Sequence, residues 1–70
     1  MKYAVVIEKG PERYGAYVPD LPGCIAAANS REEVIRLIRE AIELHLEGLR
    51  NNGEEPPPSS SSIEFVEVAA

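Results

Sequence analysis

From Lys2 to Lys9 the chain alternates in the manner of a half-buried strand. Tyr3, Val5 and Ile7 share one face and Ala4, Val6 and Glu8 the other, with no Gly or Pro to interrupt them. Gly10-Pro11-Glu12-Arg13 reads as a turn. Tyr14 to Val18 repeats the alternation, with Tyr14, Ala16 and Val18 on one face and Gly15 and Tyr17 on the other. The short connection predicts an antiparallel hairpin. In Leu21-Pro22-Gly23-Cys24, Pro stands at the second and Gly at the third turn position, the pattern of a type II turn. A third short strand of small residues, Cys24 to Ala28, follows and allows close approach of whatever packs above it.

The period then changes from two to 3.6. Ser30 with Glu33 three residues on forms a capping-box pattern, and Gly53 marks the far end of a helix running to about Asn52. At 100° per residue, Val34, Ile35, Leu37, Ile38, Ala41, Ile42, Leu44, His45, Leu46 and Leu49 fill an arc of about 200°. Charged residues fill the rest, with Glu32–Arg36, Arg36–Glu40 and Arg39–Glu43 at i,i+4 spacing. One sheet needs little more than about 100° of helix surface. The surplus flank, either Leu37 and Leu44 or Ile35, Ile42 and Leu46, predicts contact with a second subunit. Residues 54–62 hold two Glu, three Pro and four Ser and read as an extended, flexible linker. Ile63 to Val68 is rich in β-branched and aromatic residues and predicts a fourth strand, returning to the sheet or pairing with another chain. The fold class expected is α+β: a small antiparallel sheet in the order β-β-β-α-β, one helix packed across it, and a single domain over 1–70.

Composition narrows the function. Seventy residues, 44% hydrophobic and 27% charged, describe a foldable chain. The length lies near the roughly 70–80 residues at which one core suffices, so subunit contacts, most simply a C2 homodimer or a higher homo-oligomer, are expected to complete it. Seven basic against twelve acidic residues leave a charge of -5. That balance disfavours direct nucleic-acid binding and suits a basic partner or plain solubility. The lone Cys24 excludes an internal disulfide. No apolar run approaches a membrane span, and the early charges of the first residues do not form a signal peptide, so the cytoplasm is the expected location.

Little here suggests catalysis. Cys24 has no His or Asn constellation, and the only histidine, His45, falls inside the apolar helix arc, where a packed, hydrogen-bonded imidazole is expected rather than a metal ligand. Two-metal nuclease chemistry needs converging carboxylates, whereas Asp20 is the only Asp and the strands offer Glu8 alone. The expectation is a binding protein without enzymatic activity, cofactor or metal. Candidate contacts with a partner or a second subunit are Tyr17, Asp20, Leu21, Leu37, Leu44 and His45. Asp20 also has a structural alternative, capping backbone amides of its own turn.

Three stretches carry a family resemblance: Tyr17-Val18-Pro19-Asp20-Leu21-Pro22-Gly23-Cys24, the helix opening Ser30-Arg31-Glu32-Glu33 with Glu40-Ala41-Ile42 further in, and the exit from Gly53 to Pro58. Together they resemble the HicB family of bacterial antitoxins. The resemblance implies a pared-down ribonuclease H-like fold. It also implies a partner: the toxin HicA, a small basic RNA-cleaving protein that members bind and neutralise. Many members add a C-terminal DNA-binding domain; this chain is read as a short form without it. It also lacks a glycine often found before the helix, having Ala26-Ala27-Ala28-Asn29 there. The alternative reading is a stand-alone oligomeric adaptor with an unrelated partner.

Overall fold

A computed structural model describes residues 1–69, so the last position of the expected 1–70 span lies outside the described residues. Three antiparallel strands, β1 (Val6–Lys9), β2 (Tyr14–Tyr17) and β3 (Ile25–Ala28), form a sheet in the order β1-β2-β3. One helix, α1 (Arg31–Asn51), lies across it. The β1–β2 register pairs Val6 with Tyr17 and Ile7 with Ala16; that of β2–β3 pairs Ala16 with Ala26 and Tyr14 with Ala28. The predicted inward faces therefore align. Ala16, Val18, Cys24 and Ala28 are buried, and Tyr3, Val5, Ile7, Tyr14 and Ala26 pack against them.

Strand β1 begins later than the alternation suggests. Continuing its register would set Ala4 against Pro19, which has no N–H to donate. The chain leaves the sheet there through two successive turns, Leu21 N–H donating to the Val18 carbonyl at 3.1 Å and Cys24 N–H to the Leu21 carbonyl at 3.0 Å. Gly23 has φ 85°, the left-handed value that a type II turn requires after Pro22. Val18 N–H closes the loop on the Cys24 carbonyl at 3.2 Å. This folds Leu21 inward, where it is fully buried with Val34 of the helix.

Helix α1 starts where Ser30 Oγ accepts from Glu33 N–H at 3.1 Å. It ends in a Schellman arrangement: Glu54 N–H donates to the Leu49 carbonyl, Gly53 N–H to that of Arg50, and Gly53 takes φ 74°. Val34, Ile38 and Leu46 are buried. The helix packs chiefly over β3 and β2, where Ala16, Ala26 and Ala28 let it come close. Among the described residues, Arg36–Glu40 is the one i,i+4 ion pair that closes, at 2.8 Å.

The fourth strand expected over Ile63–Val68 does not form in the isolated chain. Residues 54–69 contain no strand, and 62–69 are exposed. The segment is not brought alongside either edge of the sheet, and β-propensity alone does not make a strand. The 54–62 segment is also not the free tether its composition suggests. Tyr3 Oη donates to the Pro57 carbonyl at 2.6 Å, and Pro56 and Pro57 are half-buried.

Truncating Leu21 to Ala should cost about 2–4 kcal/mol of stability, read from urea unfolding, since the turn has no other side chain to fill the space. Ser30→Ala should cost about 1 kcal/mol by the same measurement, through the lost cap alone.

Candidate partner-binding surfaces

The run that most invites a functional reading, Asp20 to Cys24, is turned largely to structure. Asp20 Oδ2 accepts from the backbone N–H of Ser60 and of Ser61, each at 2.9 Å. Its Oδ1 accepts from the Ser61 hydroxyl at 2.7 Å and from the Ser60 hydroxyl at 3.2 Å. So Asp20 does cap backbone amides, but those of a segment forty residues away rather than of its own turn. These bonds stabilise the charged form. The Ser61 amide and hydroxyl foremost, then those of Ser60, hold the Asp20 carboxyl below its usual range. Tyr3 lies just before the start of β1 and Asp20 just after the end of β2, which the antiparallel register puts at the same end of the sheet. The Pro57 and Ser60–Ser61 contacts therefore fall on neighbouring points at one end of the sheet.

Leu21 corrects the expectation of a contact role: at 0% exposure it is a core residue and has no surface to offer. Cys24 is buried and free, and desolvation raises its thiol pKa, as expected of a small hydrophobe. His45 is half-buried on the helix. Its ring makes no hydrogen bond among the described residues, contrary to the expectation of a bonded imidazole. Leu37 is half-buried against the core, while Leu44 is 69% exposed on the far side of the helix.

Tyr17 is differently placed. It lies on the sheet face turned away from α1, at 40% exposure, and its register partners there are Val6 on β1 and Ile25 on β3. Ile25 is 70% exposed. A Cβ built onto neighbouring Gly15 would meet nothing within 4 Å, so no described residue covers this face at that point. Val6, Tyr17 and Ile25 thus form one apolar row across all three strands. Sequence reasoning named Tyr17 but missed Ile25. The alternation of β3 could have flagged it, since small residues flank it and it pairs with Tyr17.

A second apolar surface lies at the β1 edge. A groove of about 490 Å³ opens between the first residues of the chain and the helix, with Tyr3 and Val5 on one side and Ile35, Ile38, Ile42 and Leu46 on the other. Lys2, Arg39 and Glu43 stand at its rim. The helix flank expected to meet a second subunit is in large part this groove wall. Among the described residues no three His, Cys, Asp or Glu side chains gather where they could hold a metal ion, and no helix is long and apolar enough to cross a membrane.

Residues 3–69 match the family described as HicB-like antitoxin of bacterial toxin-antitoxin systems. An uncharacterized 14.9 kDa protein of Haemophilus phage HP1 is 36% identical over 66 residues, covering 94% of this chain and 50% of the phage protein. The chain therefore spans half the length of that relative. A UPF0150 protein of Archaeoglobus fulgidus is 48% identical over 52 residues, covering 73% of this chain and 75% of its own. Another, from Thermoplasma acidophilum, is 38% identical over 58 residues, covering 81% and 84%. Among solved structures, a chain of the HicA3 and HicB3 toxin-antitoxin complex superposes with a TM-score of 0.70 at 33% identity, over 84% of this chain and 70% of that one.

Because the Asp20 carboxyl is held low in the folded chain, its bonds contribute stability above the unfolded carboxylate pKa near 3.9, and that contribution is lost as pH falls through the lower folded value. Amide hydrogen exchange at Ser60 and Ser61 should therefore stay slow down to about pH 4 and accelerate only below it, after correction for intrinsic exchange. In Asp20→Ala the same amides should exchange fast at neutral pH while the helix amides are unchanged. Substituting His45 by Leu should preserve or raise the urea midpoint, because no hydrogen bond of the ring is lost.

Proposed function

The chain belongs to the HicB-like antitoxin family of bacterial toxin-antitoxin systems, and from that premise we propose that it binds a small, basic, RNA-cleaving toxin of the HicA type and neutralises it by covering the active site. The observation that carries the reading is the shared fold, at clear sequence identity, with a chain of the HicA3 and HicB3 complex. Neutralisation by contact requires no catalytic group from this chain, and the reading is of a non-enzymatic protein. On this reading the protein works in the cytoplasm, beside its toxin.

The open sheet face is the contact surface we assign to the toxin. The row Val6, Tyr17 and Ile25 is apolar, flat and carried on hydrogen-bonded strands, so little order is lost when a partner settles on it. A tyrosine at its centre supplies a large, amphipathic contact of the kind that dominates interface energetics. The charge of -5 acts at longer range. Much of it sits on the outer helix face and on Glu54 and Glu55, away from this row, so it steers a basic protein toward encounter more than it adds contact energy. Leu44, Leu37 and His45 lie on the helix side and take no part in this contact. Asp20 contributes by holding the 54–61 segment across the end of the sheet.

Purified chain should stop RNA cleavage by the toxin encoded beside it. Ile25→Asp should raise the inhibitory concentration about 30-fold and Tyr17→Ala about tenfold, with far-UV circular dichroism unchanged. Inhibition that is indifferent to both substitutions would move the contact elsewhere; no binding to the neighbouring protein at all would overturn the reading.

A further inference from the structure

The 63–69 segment and the β1 groove are each incomplete. Phe65 is 91% exposed, Val66 75% and Val68 74%, with Ile63 at 47%. Four apolar side chains in one short stretch have no place in the isolated chain to go. The groove presents an unused apolar wall between the helix and the residues that lead into β1, whose outer edge has no partner among the described residues. An unpaired edge beside an apolar groove is a seat for an added strand: the edge supplies backbone hydrogen bonds and the groove takes alternate side chains.

The charges match as well. Glu64 and Glu67 are the only charged residues of the segment. The groove rim carries Lys2 and Arg39 against a single Glu43, and this in a chain that is acidic overall. Arg39 does not close its i,i+4 pair with Glu43, which leaves its guanidinium available to an incoming carboxylate.

The path of the chain argues for a second copy. The bonds to Tyr3 and Asp20 carry residues 57–61 across one end of the sheet and deliver the segment beyond it. The radius of gyration is 13.8 Å, against about 11 Å for a compact chain of this length. The longest dimension, 48 Å, well exceeds the roughly 32 Å of the helix. The segment projects from its own body rather than folding back on it.

We propose that residues 63–69 of one copy add as a strand along the free edge of β1 in a second copy, with Phe65 in the groove beside α1 and Glu67, on the same face of the strand, toward Arg39, and that the exchange is reciprocal. Two identical seats related by a two-fold axis close the assembly at a dimer. The exchange needs no toxin and stands or falls apart from the antitoxin reading.

Light scattering after size-exclusion chromatography tests it by charge exchange. The unaltered chain should elute at two-chain mass. Arg39→Glu alone, and Glu67→Lys alone, should each raise the dimer dissociation constant at least about tenfold, since each places like charges at both seats. An equimolar mixture of these two variants should recover two-chain mass, because both seats are then matched. Phe65→Ser should be monomeric and should not be rescued by mixing. All three positions are on the surface or in the projecting segment, and circular dichroism checks that each variant folds. A one-chain mass for the unaltered protein, a dimer indifferent to these substitutions, or a mixture that fails to recover would each overturn the exchange.

Discussion

A three-stranded sheet has two faces and two edges, and a single helix covers one face. That arithmetic of surfaces governs the rest of this molecule. The buried contact between α1 and the inner face, centred on Val34, Ile38, Leu21 and the small residues Ala16 and Ala28, is the one continuous core. Small side chains on β2 and β3 draw the helix toward that side of the sheet. The consequence is geometric: the outer face is left open at Gly15, and a groove remains between the helix and the residues that lead into β1. Neither surface is an accident of a loop. Both follow from a three-stranded sheet that carries one helix on one face.

The turn between β2 and β3 ties this core to the end of the chain. Pro19, Pro22 and Gly23 restrict the backbone so that Leu21 points inward and the neighbouring Asp20 points out. The carboxylate then collects two amides and two hydroxyls from Ser60 and Ser61. A loop five residues long thereby anchors the core with one side chain and the 54–61 segment with the next. Its strong sequence pattern is accounted for by this double duty before any partner is considered.

The two exposed apolar surfaces are suited to different occupants. The outer sheet face is flat and built on paired strands, and fits a separate folded protein. The β1 groove adjoins an unpaired edge and a basic rim, and fits an extended acidic strand. They lie on different sides of β1, so a dimer formed by strand exchange leaves the Tyr17–Ile25 row free for a toxin. Binding one partner need not exclude the other, and a dimer would offer two such rows.

The local elements were legible in the sequence because each rests on short-range physics. Alternation placed Tyr3, Val5, Ile7, Tyr14, Ala16 and Val18 on the face that the helix covers. Proline and glycine at adjacent positions specified the turn at Leu21–Cys24, and Ser30 and Gly53 bounded the helix within a residue or two. The motif around Asp20 carried the family. Tertiary structure decided what no local pattern encodes. Leu21 is core rather than contact because the double turn folds it inward. Asp20 serves residues forty positions away, since its lone pairs take whichever donors the fold brings within reach. Ile25 belongs to an exposed row only because β2 sets it beside Tyr17. Residues 63–69, strand-like in composition, form no strand, because a strand is a relation between two backbones and the isolated chain does not carry them back to one of its own sheet edges.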